Sequence, residues 1–305
     1  MTARTWDARM KLRSPLPFIA AAVLFVSPLA AQQSLPKSTQ ERLAALARVE
    51  VLTPGHIKTL LSQAQLGDRE AQYLLALINE EGLLVPRDSA AARSWMLKSA
   101  EQGYVLAQVG MGEMYLSNVR RDGPISDYGD ADRWLRLAAT QGDADAQFWL
   151  GTAYERGWFG AIDDREAFKW IRKAAAQGLP DAQFSLGQMY GDGEGVAENN
   201  SLAANWYRKA ADHFAYIGDQ PLAGVWEAEV QLAYLYRDGR LPKDDVQAYM
   251  WFAIVGSSVV PPTDDDMKRV ARHMTKAQIV QAQRMAEDWI KRHTAQPANV
   301  AQAKR

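Results

Sequence analysis

One sequence phrase recurs along this chain and constrains its fold more than any other feature. Each copy has an apolar segment led by alanine, a loop centred on glycine, an Ala-x-x-Trp segment and, in most copies, a closing glycine. The copies begin at Ala71, Ala107, Ala146 and Ala182, with a less regular fifth copy at Ala228. Their spacings of 36, 39, 36 and 46 residues fall in the range of helical solenoids, so the repeat predicts stacked helix pairs.

Small and apolar residues mark one face of the first segment, which we call helix A. Counted from the leading alanine, they fall at positions 0, +4, +5 and +8, the spacing of one helix face. A glycine follows at position +11 in four copies: Gly82, Gly157, Gly193 and Gly239. A chain that leaves a helix often needs a left-handed backbone, which glycine adopts without steric cost, so helix A is predicted to end there.

The second segment, helix B, carries an alanine three residues before a tryptophan in every copy. The tryptophans are Trp95, Trp134, Trp170, Trp206 and Trp251. Residues three apart share a helix face, so the pattern predicts that all five indoles lie in the core beside helices that the small alanines let approach. Four copies also have glutamine at position +1, and these side chains are predicted to serve hydrogen bonds at helix ends: Gln72, Gln108, Gln147 and Gln183.

Two stretches make the resemblance to a known family specific. Residues 182–196 and 203–211 resemble Sel1-like repeats, which are relatives of the tetratricopeptide class, and the similarity extends over about residues 67–258. The resemblance implies an all-α fold, a right-handed α/α superhelix of about five helix pairs. It also implies a protein that assembles or regulates other proteins, with no catalytic residues and no cofactor of its own.

Segments on either side of the repeats complete the predicted organisation. Residues 32–66 are predicted to form N-terminal capping helices and residues 259–294 C-terminal ones, before a flexible tail over 295–305. The last helix places Ile279, Ala282, Met285, Ala286 and Trp289 on one stripe, as expected of a helix that covers a solenoid end. The second repeat is three residues longer than the first and the third, and its loop is expected to span residues 116–129.

Residues 1–31 have the layout of a secretory signal peptide. Four basic residues precede an apolar stretch over 16–26, and Leu29-Ala30-Ala31 offers small residues before Gln32. The apolar stretch is shorter than the about 20 residues that a membrane span needs. We therefore expect export to the periplasm and cleavage before Gln32. Secretion remains an alternative, as does an uncleaved anchor, because Leu29 is an imperfect residue for its position.

Charge and cysteine content narrow the partners. Without residues 1–31 the chain has 31 basic and 35 acidic residues, a formal charge of about −4, so neither nucleic acid nor an anionic membrane surface is indicated as a partner. The chain has no cysteine and thus no disulfide, thiol nucleophile or lipid-acceptor thiol. A cysteine-free exported chain is compatible with an oxidising periplasm.

Candidate catalytic and metal-ligating residues are few. The four histidines, His56, His213, His273 and His293, are scattered without a His-x-x-x-His pair, so no metal site is predicted. The run over residues 191–195 is rich in glycine but lacks the Lys-Ser/Thr of a phosphate loop. Aspartate runs precede predicted helices, where aspartate caps free backbone amides; they are Asp163-Asp164, Asp244-Asp245 and Asp264-Asp265-Asp266.

Four aromatic residues outside the repeat pattern are the candidate partner contacts. Trp158 and Phe159 lie in the loop of the third repeat, and Tyr216 and Trp226 lie in or beside an insertion after the fourth. Insertions in solenoids often contact partners, and aromatic side chains often anchor interfaces. The structural alternative is a loop that only fills a kink between repeats.

These observations predict a periplasmic scaffold that binds a protein or peptide along the groove lined by its A helices, in envelope assembly or regulation. Two alternatives remain. One is an envelope enzyme, or an obligate subunit of one, that acts on cell-wall or exopolysaccharide material. The other is a membrane-anchored regulator.

Overall fold

The computed structural model describes residues 36–119, 126–212, 216–217, 220–221, 225–256 and 264–294. Residues 1–31 and 295–305, for which a signal peptide and a tail are predicted, lie outside these ranges. The A helices are α3 (Arg69–Glu81), α5 (Val105–Val119), α7 (Ala144–Glu155), α9 (Pro180–Asp192) and α11 (Val225–Arg237). The B helices are α4 (Ser89–Glu101), α6 (Ser126–Thr140), α8 (Asp164–Ala176), α10 (Asn200–Asp212) and α12 (Asp245–Gly256). The predicted all-α solenoid of helix pairs is confirmed.

Four more helices flank the repeats. They are α1 (Lys37–Glu50), α2 (Pro54–Gln65), α13 (Asp264–Ala271) and α14 (Lys276–Thr294). Helix α14 packs on α12 through its predicted stripe, with Trp289 edge-on to Trp251 at 5.7 Å between ring centroids. The insertion contains a short hairpin with strands of two residues each, in which β1 (Tyr216–Ile217) pairs antiparallel with β2 (Gln220–Pro221).

Aspartates begin the helices and glycines end them, largely as predicted. Asp163 and Asp244 each accept two backbone N–H groups at the start of a B helix. Gly82 and Gly193 end A helices with left-handed φ values of 67° and 74°. The third aspartate run differs, because it lies inside the first turn of α13 and Asp266 there pairs with Arg237 of α11 at 2.7 Å.

The loop expected over residues 116–129 in the second repeat is wrong in most of its length. Helix α5 continues to Val119 and α6 already begins at Ser126, so each is 15 residues long. The extra residues of this repeat therefore mainly lengthen its two helices.

The two helices of a pair meet at the small residue of position +5. A Cβ atom on Gly151 would lie 2.5 Å from Cγ1 of Ile171, and one on Gly187 would lie 2.6 Å from the ring of Tyr207. The residues that fill these places come directly after the repeat tryptophans. Ile171 is fully buried and Tyr207 is 4% exposed, so the residue after the tryptophan forms the centre of each pair.

The repeat tryptophans lie further out than the sequence pattern predicts. Trp134, Trp170 and Trp251 are buried, but Trp95 and Trp206 are only half-buried. The ammonium groups of Lys98 and Lys209 lie 4.4 and 3.9 Å from the ring centroids of these two indoles. The prediction of five core indoles is therefore wrong for Trp95 and Trp206, whose rings stay partly exposed under these lysine side chains.

Glutamine side chains link successive repeats. Gln147 Nε2 donates to the carbonyl oxygen of Ala139, in the last turn of the preceding B helix, at 3.1 Å. Its Oε1 accepts from Gln177 Nε2 of the following B helix at 2.8 Å. The same pair of contacts recurs at Gln72 and Gln108. The structural role predicted for these glutamines is confirmed at these three. Gln183 donates to Ala175 O at 3.4 Å, but its Oε1 has no hydrogen-bond partner among the described residues.

The fifth repeat has Glu229 at this glutamine position. Its side chain is 2% exposed, and its Oε1 has no hydrogen-bond partner among the residues that the structure describes. Burial and the nearby carboxylate of Glu227 raise the pKa of Glu229 to about 8.

We expect Gly151→Ala to lower the free energy of unfolding by about 1–3 kcal/mol, the usual cost of overpacking. The new Cβ would lie 3.1 Å from Ile171 N and 3.2 Å from Ala167 O, backbone atoms that cannot easily move aside. Urea denaturation measures the change. Gly129→Ala in α6 is the control: nothing lies within 4 Å, and the change should stabilise the helix by up to about 1 kcal/mol. Equal effects of the two changes would contradict this role of Gly151.

Glu229→Gln should stabilise the protein more at pH 8 than at pH 5. The folded chain holds a proton on Glu229 that the unfolded chain releases above its ordinary pKa, so this contribution to stability is lost as pH rises toward 8. One pKa unit corresponds to about 1.4 kcal/mol, and we expect the advantage of the variant to grow by at least about 1 kcal/mol. Urea denaturation at both pH values measures it. The exposed control Glu287→Gln should show no such growth, and equal growth in both would refute the assignment.

Candidate functional site: the groove of the A helices

The A helices form one layer of the array and the B helices the other. Helix α7 contacts α5, and α11 contacts α9, while each of the first four B helices packs between its own A helix and the next one. Because these neighbouring A helices touch each other and α1 contacts both α3 and α7, we infer that the array curves toward the A layer. We call the free concave face of this layer the groove.

Helix α1 lies in this groove across the first three A helices. It contacts α3 and α7, and Arg42 reaches α5 between them. Ala45 and Val49 are 4% and 2% exposed and join the core of the first repeat. The helix runs against the order of the repeats, with Thr39 on α7 and Arg48 on α3. The sequence pattern did not predict this position.

Arg42 is the centre of the contact between α1 and the groove. Its Nη2 donates to Oε1 of Glu113 at 2.9 Å, and the two side chains are 14% and 11% exposed. Trp149 Nε1 of α7 donates to the same oxygen at 3.2 Å. Burial alone would lower the pKa of Arg42, but attraction to Glu113 and Asp145 outweighs it and raises the pKa. The guanidinium is therefore charged, and the contact is a buried ion pair.

Polar side chains in the first turn of α1 dock on the start of α7. Ser38 Oγ accepts from the backbone N–H of Ala144 at 3.3 Å, and Thr39 Oγ1 donates to Oδ2 of Asp145 at 3.1 Å. Backbone N–H groups at a helix start have no partner within the helix, so a hydroxyl from another element satisfies one of them here. Together with Arg42, these contacts fix the register of α1.

Carboxylates line the groove at the starts of the A helices. Position −1, just before the leading alanine, is acidic in four of the five copies: Glu70, Asp145, Asp181 and Glu227. Helix α1 contacts the first two of these, through Arg48 and Thr39. Asp181 lies beyond its N-terminal end. Burial, and then the carboxylates of Glu227 and Asp145, raise the pKa of Asp181 to about 7. The groove thus continues past α1 as an acidic surface, on which Asp181 is partly protonated near neutral pH.

The four aromatic residues predicted as partner contacts do not form one cluster. Trp158 and Phe159 follow α7 and are half-buried, with Arg156 over the indole at 5.5 Å and Tyr154 edge-on to Phe159 at 6.1 Å. Trp226 is half-buried in the first turn of α11, two A helices further along the array, and lies at the start of its helix rather than after the end of one. Tyr216 lies in β1, opposite Pro221.

The described residues offer few candidates for catalysis or metal binding. Among the described residues, no group of three or more histidine or acidic side chains is placed to hold a metal ion. His56 accepts from the backbone N–H of Thr53 at 3.1 Å, and His293 stacks on Trp289 at 4.0 Å, so both have structural contacts. Over the same residues, no helix combines the length and the apolar character that crossing a bilayer requires.

Comparison with known proteins identifies the repeat. The Sel1 repeat matches five segments of the chain, residues 69–104, 105–143, 144–179, 180–213 and 226–254. These segments cover the helix pairs α3–α4 to α11–α12 described above. Among proteins with a curated description, none matches the chain.

Two solved structures are similar over most of the chain. A protective antigen of uropathogenic Escherichia coli that displays an SLR fold is 30% identical, with a TM-score of 0.64 over 82% of this chain and 51% of the antigen. The chain therefore spans about half the length of that protein. A Sel1 repeat protein from Oxalobacter formigenes is 25% identical, with a TM-score of 0.54 over 72% of this chain and 78% of that one. With five matched repeats on a solenoid of the same fold, the chain belongs to the Sel1 repeat family.

Proposed function

We propose that this protein is an exported scaffold that binds a segment of a partner protein in the groove of its A helices. The observation that carries the proposal is the position of α1, which three successive A helices hold by side-chain contacts. A surface that already holds one helix has donors and acceptors that suit another.

Export to the periplasm is part of the proposal. It is supported by the basic start, the apolar stretch and the small residues of segment 1–31, and by the absence of cysteine. A role in envelope assembly or regulation follows from that location. Secretion and an uncleaved membrane anchor are the alternatives that the same segment leaves open.

The aromatic residues outside the repeat pattern extend the proposed contact surface. Trp226 precedes the acidic Glu227 and is half-buried, so part of it is exposed to solvent at the start of α11. We propose Tyr216 of the insertion as a further contact. We propose the same for Trp158 and Phe159, which follow the end of α7.

An enzyme that acts on glycans is the second candidate, because carboxyl groups with raised pKa values are typical of acid catalysts. Asp143, Asp181 and Glu229 have such values, and burial is the main cause in each case. However, Asp143 and Glu229 are 3% and 2% exposed, and Asp143 accepts the backbone N–H of Ala146 at 2.7 Å as a helix cap. A sugar ring does not reach groups buried to this extent, so binding is the better supported function.

Site-specific photocrosslinking in cells tests the scaffold proposal. Ser185 on α9 occupies the same repeat position as Trp149 in α7, and a photoreactive phenylalanine analogue in its place should capture a partner protein. The control position is Leu202, which is 38% exposed on the B helix α10. Equal capture at both positions, or capture at Leu202 alone, would contradict binding in the groove.

Mass measurement of the protein recovered from the periplasm tests export. The expected mass corresponds to a chain that starts at Gln32, because small residues precede it. Recovery of the full-length chain in the membrane fraction would support the anchored regulator instead, and recovery of full-length chain in the cytoplasm would refute export.

A further inference from the structure

We propose that α1 is an internal occupant of a site for an arginine-bearing helix, and that a helix of the partner displaces α1 and binds its own arginine to Glu113. This inference rests on the scaffold function proposed above and adds the chemistry of the partner. The contacts of α1 define that chemistry. Serine or threonine lies in the first turn, as at Thr39, and arginine follows one turn later. Small apolar residues come three and seven positions after the arginine, as at Ala45 and Val49.

The carboxylate of Glu113 is the group that recognises the arginine. Oε1 accepts from both Arg42 and Trp149, whereas Oε2 is buried and has no hydrogen-bond partner among the described residues. An arginine can donate to both oxygens of a carboxylate at once, which is the strongest form of this contact. Helix α1 uses only one of the two oxygens, so a partner arginine that donates to both would bind better than Arg42 does.

A helix without a cation at this place would bind poorly. It would cover Glu113 and leave a buried carboxylate with a single neutral donor, Trp149 Nε1. Leaving a buried charge without its partner costs far more than losing an exposed pair. A lysine would supply charge but not the planar pair of donors that suits a carboxylate. The site therefore selects arginine over alanine strongly and over lysine moderately.

The proposal requires that α1 can leave the groove while the repeat helices stay in place. Among the side chains of α1 that the structure describes, the buried apolar ones are Ala45 and Val49, both small. It joins α2 through residues 51–53, of which Val51 is 76% exposed. Segments with few buried apolar contacts open locally at low free energy. Opening of α1 is therefore expected to cost less free energy than opening of a repeat helix.

The direction of α1 indicates where the rest of the partner lies. Its N-terminal end rests on α7, and the next A helix, α9, presents Asp181 at position −1. A partner chain that extends past the first turn of the displacing helix meets this acidic surface. Basic residues ahead of the serine or threonine would then add affinity that salt weakens.

Hydrogen exchange of the full chain first tests how α1 is held. Arg42→Ala should raise amide exchange in residues 37–50 at least tenfold, with little change in the repeat helices. Arg48→Ala is the matched control, because its ion pair with Glu70 is 57% and 43% exposed and such pairs contribute little. If Arg42→Ala leaves exchange in α1 unchanged, Arg42 does not hold the helix and the inference is overturned.

Peptide binding then tests the site itself. The probe is a fluorescein-labelled peptide with the sequence of residues 36–51, and its binding is followed by fluorescence anisotropy. It should bind the Arg42→Ala protein at least tenfold more tightly than the unchanged protein or Arg48→Ala, in which α1 still competes. The same peptide with alanine in place of Arg42 should bind the Arg42→Ala protein at least tenfold more weakly. Equal binding of both peptides would overturn the inference.

Glu113→Gln, added to Arg42→Ala, completes the cycle. This double variant should bind both peptides equally weakly, and circular dichroism should confirm that its helices are retained. Undiminished discrimination between the peptides would show that another group reads the arginine. Photocrosslinking at Ser185 in repeat four separates this inference from the proposed function. If a partner is captured there but the peptide does not discriminate, the scaffold stands and the arginine site falls.

Discussion

The close approach of the two helices in each pair is the contact on which the rest of the structure depends. Where a glycine replaces a larger residue at position +5, as at Gly151, the partner helix comes near enough for Ile171 to fill the place of a side chain. This fixes the residue after the tryptophan as the centre of the pair. The tryptophan, one residue earlier in the helix, points away from this centre. At Trp206 a lysine covers the exposed part of the ring. Repetition of the same contact gives a regular array with a continuous A layer.

Signals within one repeat predicted the fold well, because the contacts they represent are local. Gly193 ends its own helix, Asp163 caps its own helix, and Gln147 bonds to a carbonyl oxygen eight residues earlier. The position of α1 had no such signal. Arg42 and Glu113 are 71 residues apart, and neither repeats, so no periodicity connects them. The recurrent acidic residue at position −1 was visible in the sequence and is the one pattern that indicates a groove suited to cations.

The acidic residues of the groove have different physical explanations. Those at position −1 lie in the first turn of a helix, where the helix dipole favours negative charge, but at Asp181 burial outweighs this and raises the pKa. Glu113 lies within α5, away from its start, and its charge is compensated by Arg42. Glu229 stands where the other repeats have glutamine. Here the insertion separates α11 from the preceding B helix, so no helical carbonyl lies eight residues earlier to receive an amide.

An internal occupant changes what the groove can recognise. While α1 is bound, a partner binds only to the fraction of molecules in which the helix has left, and its apparent affinity falls by that fraction. If about 1% of the molecules are open, every ligand is weakened about 100-fold, which removes weak basic peptides from competition. A partner regains this loss only through contacts that α1 does not make. Two such contacts are offered by Oε2 of Glu113, which has no hydrogen-bond partner among the described residues, and by the carboxyl group of Asp181 beyond the end of α1. The specificity of the groove thus depends on the contacts that α1 leaves unused and that a partner can make.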